Sequence, residues 1–262
     1  MTGKDIVTAN PWQTLRRFTS ARIALGCAGG SLPTAPMLEL QLAHARARDA
    51  VHLPFDAAAI QAQLTAIGLE TLRVHSAAPN REIYLRRPDL GRRLDGASRS
   101  LLESCADLAA QAHDAVLVIA DGLSALAAHH HAAGVVALAQ AALRERGWHV
   151  APVVVAEQSR VALGDEIGEL LRAAQVAILI GERPGLSSAD SLGVYLTHAP
   201  RVGRSDAERN CISNIRPDGG LSHLQAAHKL VYLMTEARRR QLTGVALKDA
   251  SDDVALLVQP SG

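Results

Sequence analysis

A chain of 262 residues, 48% of them hydrophobic, has apolar material for one large α/β domain or for one domain with a smaller helical annex, and this excludes disorder. Lys plus Arg (27) and Asp plus Glu (26) nearly cancel, which removes any chain-wide electrostatic footprint for a nucleic-acid backbone or an anionic membrane surface. Cys27, Cys105 and Cys211 are widely spaced without a CxxC pair, arguing against a disulfide framework or a structural zinc site and fitting a reducing cytoplasm; no apolar run suits a secretory signal or a membrane span.

In chain order, the first half reads as helical. Pro33 to Pro36 set the start of a helix running to about Val51, and Phe55 to Ile67 and Ser98 to Ala112 predict two more. A short strand is expected at Leu72 to His75, and the basic stretch Asn80 to Asp95 is interrupted by Pro88 and Gly91. From about residue 114 the rhythm changes. The apolar runs Ala115 to Ala120, Val150 to Val155 and Val176 to Ile180 alternate with helical stretches, the first a long one to about Arg146 that Ser124 can cap, the second Gly164 to Ala174. A fourth strand is expected at Leu192 to Leu196 and a final helix over Leu221 to Gln241.

This order predicts an α/β fold, a Rossmann-like parallel sheet flanked by helices, with residues 1–110 a mainly helical region and 111–262 the sheet domain. Aromatics are only 3% of the chain, so the core is built from Ala, Leu and Val, as helix-covered parallel sheets are. Ligands on such sheets sit beyond the carboxyl ends of the strands. Three loops are thereby singled out: Asp121 to Ser124, Ala156 to Val161, and Gly181 to Gly185. The last opens Gly181 to Pro217, where glycines and prolines precede a polar run that is poor core material.

Several side-chain groups invite chemical readings. Gly26 to Pro33 is glycine-rich but lacks GxGxxG and a following lysine, which favours a turn into the next helix. His129, His130 and His131 point about 100° apart on an ideal helix and are not expected to share a metal; they read as a solvated face. Asp121, Ser124 and a histidine lack the GxSxG elbow of a hydrolase triad. Cys211 could be activated by Arg209 or be a structural or ligand-contacting thiol. Arginines at 86, 87, 92, 93 and 238 to 240 have no interleaved aromatics for stacking nucleic acid, and read as helix-end compensation or a subunit contact. Glu182, at the end of a buried strand, could accept hydrogen bonds from a bound molecule or pair with Arg183 or Arg209.

The segments ARIALGCAGGSLPTAPMLELQLAHARARDAVH (Ala21 to His52), ADGLSALAAHHHA (Ala120 to Ala132), GERPGLSSADSLGVYLTHAPRVGRSDAERNCISNIRP and EARRRQLTGVALKD (Glu236 to Asp249) closely resemble the small (light) subunit of ethanolamine ammonia-lyase. The resemblance runs from about residue 11 to about 250, leaving a short N-terminal extension. It implies an adenosylcobalamin-dependent lyase of two subunit types that converts ethanolamine to acetaldehyde and ammonia by a radical route. The large subunit of that family is a barrel holding the substrate, and the small subunit closes over the cobalamin. The family's cobalamin contacts carry over to Val161 in SRVALGDEIG, Glu182 in LIGERPG and Cys211 in ERNCISN. No catalytic residue and no metal ligand is implied on this chain. Absence of DxHxxG, where His129 stands two residues before His131, agrees with cobalamin bound with its dimethylbenzimidazole still on cobalt. The competing readings are a cobalamin carrier or scaffold without a catalytic complex, and a free-standing nucleotide-using enzyme, which the lack of a dinucleotide fingerprint disfavours.

Overall fold

The computed structural model describes residues 7–19, 21–108 and 112–251. Its centre is a six-stranded sheet in the order β1-β3-β2-β4-β5-β6. The strands are β1 (Thr71–His75), β2 (His113–Ala120), β3 (Val153–Glu157), β4 (Ala173–Gly181), β5 (Leu192–His198) and β6 (Asn210–Ile215). Strands β1 to β4 pair in parallel, as expected, but β5 pairs antiparallel with β4 and β6 antiparallel with β5. The sheet is therefore mixed, which corrects the wholly parallel expectation. The cause lies in the connections: 182–191 contains no helix and 199–209 only a short 3-10 turn, Asp206–Glu208, so neither chain segment can cross the sheet to restart in parallel.

Helices cover both faces. They are α1 (Thr34–His52), α2 (Ala57–Ala66), α3 (Arg81–Arg86), α4 (Gly96–Leu108), α5 (Ala125–Ala127), α6 (Ala133–Glu145), α7 (Leu163–Leu170) and α8 (His223–Arg240), with a π turn, Ala128–Ala132, joining α5 to α6. Side chains alternate across β2: Leu117 and Ile119 join one core with α2, α6 and α8, while Val116, Val118 and Ala120 join another with α4 and α7. The helix expected from Ser98 to Ala112 begins at Gly96 and is described as far as Leu108; residues 109–111 lie outside the described residues, and Ala112 is not helical. The glycine-rich Gly26 to Pro33 forms a tight turn through reciprocal hydrogen bonds of Ala28 and Ser31, after which α1 starts. No helix among the described residues is long and apolar enough to cross a membrane.

Caps fix the ends that matter for the site. Ser124 accepts from Ala127 N and opens the helical segment directly after the β2 loop. At the other end of the chain, Ser222 and Gln225 form a capping box that starts α8, and Gln241 in the left-handed region stops it. The chain order β2, then β3 on one side of it and β4 on the other, places a topological switch point at the carboxyl end of β2.

Candidate functional site

The loops following β2, β3 and β4 enclose an open cleft of about 440 Å³ at that switch point. Gly122 and Leu123 contribute one wall, Arg160 and Val161 a second, and Gly181, Glu182 and Arg183 a third, with Tyr84 and Tyr195 at the margins. The approach of the first and third walls depends on glycine. A Cβ at Gly181 would lie 2.0 Å from the Ser124 carbonyl oxygen, and one at Gly122, whose φ is +57°, would lie 2.3 Å from the Gly181 oxygen. Both clashes are with backbone, which cannot swing away.

Asp121 ties the first two walls together from below. It is 1% exposed, and its carboxylate accepts from the backbone N–H of Gly122 (2.9 Å), Gln158 (3.1 Å) and Ser159 (2.9 Å) and from Arg81 (3.3 Å). Burial pushes its pKa up to about 6, against the pull of those donors, so it is ionised above that pH. Its partners are backbone and arginine, which removes it from any hydrolase triad. The Ser124 hydroxyl likewise donates to the Ala189 carbonyl.

Tyr84, on α3, is fully buried and lies between two guanidinium groups, Arg81 at 4.8 Å and Arg160 at 4.2 Å from its ring centre. Its hydroxyl donates to the Ser159 carbonyl (3.0 Å), and burial holds its pKa above the usual phenol value. Arg160 donates to the Tyr84 carbonyl, yet its Nε is buried with no protein partner, as is Nη2 of Arg81. Of the two arginines only Arg160 lines the cleft, whereas Arg81 is engaged by the Asp121 carboxylate and the Gly122 carbonyl. The sequence drew no attention to Tyr84 because REIYLR is too short for a periodic signal.

Glu182 pairs with neither Arg183 nor Arg209. It accepts from the hydroxyls of Ser191 and Ser213, both at 2.5 Å, and its Oε1 lies 2.8 Å from where a Cβ on Gly193 would stand. Arg209 instead makes a buried bidentate pair with Asp165 (2.6 and 2.7 Å). Cys211 stands opposite Tyr195 on the neighbouring strand, one strand beyond the cleft wall. Surrounding protein raises its thiol pKa, with the Glu182 charge adding to the effect, so Arg209 does not activate it. Thus Val161 and Glu182 share one cleft, and Cys211 borders it through Tyr195.

Of the three consecutive histidines only His130 is solvated. His129 Nε2 accepts from Asp56 N (2.9 Å) while its ring stacks on Phe55. His131 is buried, with Nδ1 3.0 Å from Nε2 of His223. His130 and His131 both face Asp190, because the π turn winds less per residue than an α-helix and the two rings present different nitrogens. The arginines at the end of α8 are also structural: Arg238 pairs with Asp114 and covers Trp148, and Arg239 and Arg240 pair with Glu236.

Residues 9–248 match the family described as "Ethanolamine ammonia-lyase light chain (EutC)". The chain is 62% identical over 246 residues to "Ethanolamine ammonia-lyase small subunit" of Ralstonia nicotianae, covering 94% of this chain and 91% of that one. Proteins of the same name from Pseudomonas syringae pv. tomato (58% over 241 residues, 92% and 84%) and Azotobacter vinelandii (56% over 252 residues, 96% and 93%) are similar along nearly the same length. At that identity and coverage, the chain belongs to the ethanolamine ammonia-lyase light-chain family.

Proposed function

We propose that this chain is the cofactor-facing subunit of an adenosylcobalamin-dependent ethanolamine ammonia-lyase, working in the cytoplasm with a large barrel subunit that holds the substrate. The observation that carries the reading is the switch-point cleft, where Val161, Glu182 and Arg160 meet on facing walls. A guanidinium on such a wall fits the amide oxygens and phosphate of cobalamin. The cleft is open on one side, so the chain covers part of the cofactor and leaves the remainder to the large subunit.

When bound, adenosylcobalamin supplies the radical that starts the reaction. This chain's residues bind and shield. Glu182, held by Ser191 and Ser213, presents a fixed acceptor edge to amide N–H groups, and Val161 supplies an apolar wall against the ring system. Cys211, its thiol protonated, adds a neutral side chain beyond Tyr195. No general acid, base or nucleophile is required of the chain, so catalysis rests on excluding water and holding the cofactor. Residues 111–262 then act as the cofactor-facing domain and residues 1–110 as the mainly helical region beside it.

An absorbance titration of adenosylcobalamin tests this, run on the chain alone, on the large subunit alone and on their mixture. The expected result is ethanolamine deamination and tight cofactor uptake only in the mixture. Turnover by the isolated chain would sink the assignment, and cobalamin uptake by the chain without any large-subunit association would instead identify a carrier.

A further inference from the structure

We propose that His130, His131 and Asp190 form a divalent transition-metal site, best matched to Zn²⁺, that ties the β4–β5 connection to the π turn after β2. His130 Nδ1 lies 3.8 Å and His131 Nε2 3.6 Å from Asp190 Oδ2, and the three ligand atoms all lie within 4.8 Å of one another. These separations are too long for hydrogen bonds and too short for an intervening water. They approach the spacing of roughly 3.3 Å that neighbouring ligands take around a tetrahedral ion with bonds of about 2.0 Å.

The second observation is on His131 itself. Its side chain is 4% exposed, yet Nε2 is buried with no hydrogen-bond partner and faces the carboxylate. In the tautomer whose Nδ1–H donates to His223, Nε2 carries a lone pair directed at an anionic oxygen, an arrangement that a cation between them resolves. The His223 ring occupies space that any side chain at Gly134 would fill, since a Cβ there would lie 2.7 Å from it. His130 and Asp190 are partly exposed (52% and 34%), so an ion can enter and keep water as a fourth ligand. Imidazole with one carboxylate selects zinc and similar metals over calcium or magnesium.

Binding there would stiffen the loop that carries the cofactor edge. Asp190 precedes Ser191, whose hydroxyl holds Glu182, and follows Ala189, whose carbonyl accepts from Ser124.

The test uses untagged full-length chain, stripped with chelator and titrated with Co²⁺ and then Zn²⁺. Expected are visible ligand-field bands saturating at one Co²⁺ per chain, displacement by Zn²⁺, and a Zn²⁺-dependent rise in Tm. Asp190→Asn and His130→Gln, both at partly exposed positions, should each raise the Kd about tenfold or more while leaving the metal-free Tm nearly unchanged. Three results would overturn the site: no bands and no Tm response at millimolar metal, a thiolate charge-transfer band assigning the ion to a cysteine, or unaltered affinity in both variants.

Discussion

At the scale of single residues, the site is made of groups whose roles depend on neighbours far away in sequence. Glu182 was recognisable as a strand-end carboxylate, but its partners Ser191 and Ser213 come from β5 and β6 territory and no local pattern announces them. Asp121 was recognisable only as a loop residue. Its role as a knot joining two loops depends on the N–H groups of Gln158 and Ser159, delivered by the parallel register of β2 and β3. His129 and His131 depart from the expected solvated face because Phe55, Asp56 and His223, far away in sequence, pack against them. For Glu182 the expected consequence is specific. Glu182→Ala removes the acceptor of two hydroxyls and, under the proposed function, of the cofactor amides, and should weaken adenosylcobalamin binding by the assembled complex by about 1 to 3 kcal/mol. Glu182→Gln, retaining one acceptor oxygen, should lose less. Equal Kd values for wild type and both variants, with assembly intact, would reassign Glu182 to holding the loop.

At the scale of elements, the buried strands were legible because continuous apolar runs such as AVLVIA have no other home in a globular protein. β6 was not, since NCISNI is an edge strand burying only Ile212 and Ile215. Its antiparallel partner β5 was found as a strand, but its direction is set by the connections rather than by its own residues. What locks this antiparallel half to the parallel half is the Arg209–Asp165 pair, 2% and 1% exposed, which joins the end of the β5–β6 loop to the first turn of α7, with Thr197 on β5 also bonded to Arg209. Arg209→Leu leaves a buried carboxylate without its partner and should cost about 3 to 5 kcal/mol in denaturant unfolding at pH 7 to 8. Burial already raises the Asp165 pKa, and loss of the arginine raises it further. The folded variant then holds a proton that the unfolded chain releases, so its stability rises as pH falls through that raised pKa towards the unfolded value. The deficit should therefore shrink towards pH 5. A deficit that is constant with pH, or grows on acidification, would show that Asp165 does not carry the cost.

For the whole molecule, the distribution of apolar surface separates the two ends of the chain. Strands β2, β3 and β4 bury every one of their Val, Leu and Ile residues, whereas α1 buries only Ala43 and Ala50 over nineteen residues. Leu38 and Leu42, one turn apart on that helix, are 56% and 51% exposed, and Leu32, Trp12 and Phe18 nearby in the chain are exposed too. A monomer rarely leaves so much apolar side chain in water. The relatives carry the name of a small subunit, and a large partner covering α1 accounts for the pattern without further assumptions. Because both leucines are already solvated, Leu38→Glu with Leu42→Glu should change the unfolding free energy of the isolated chain by no more than about 0.5 kcal/mol. In the complex the same charges would be buried without partners, so association with the large subunit should weaken by at least about 2 kcal/mol, roughly thirtyfold in Kd, by analytical ultracentrifugation or calorimetry. If instead the variant associates normally, the exposed face of α1 is not the contact, and the large subunit must approach over the sheet domain alone.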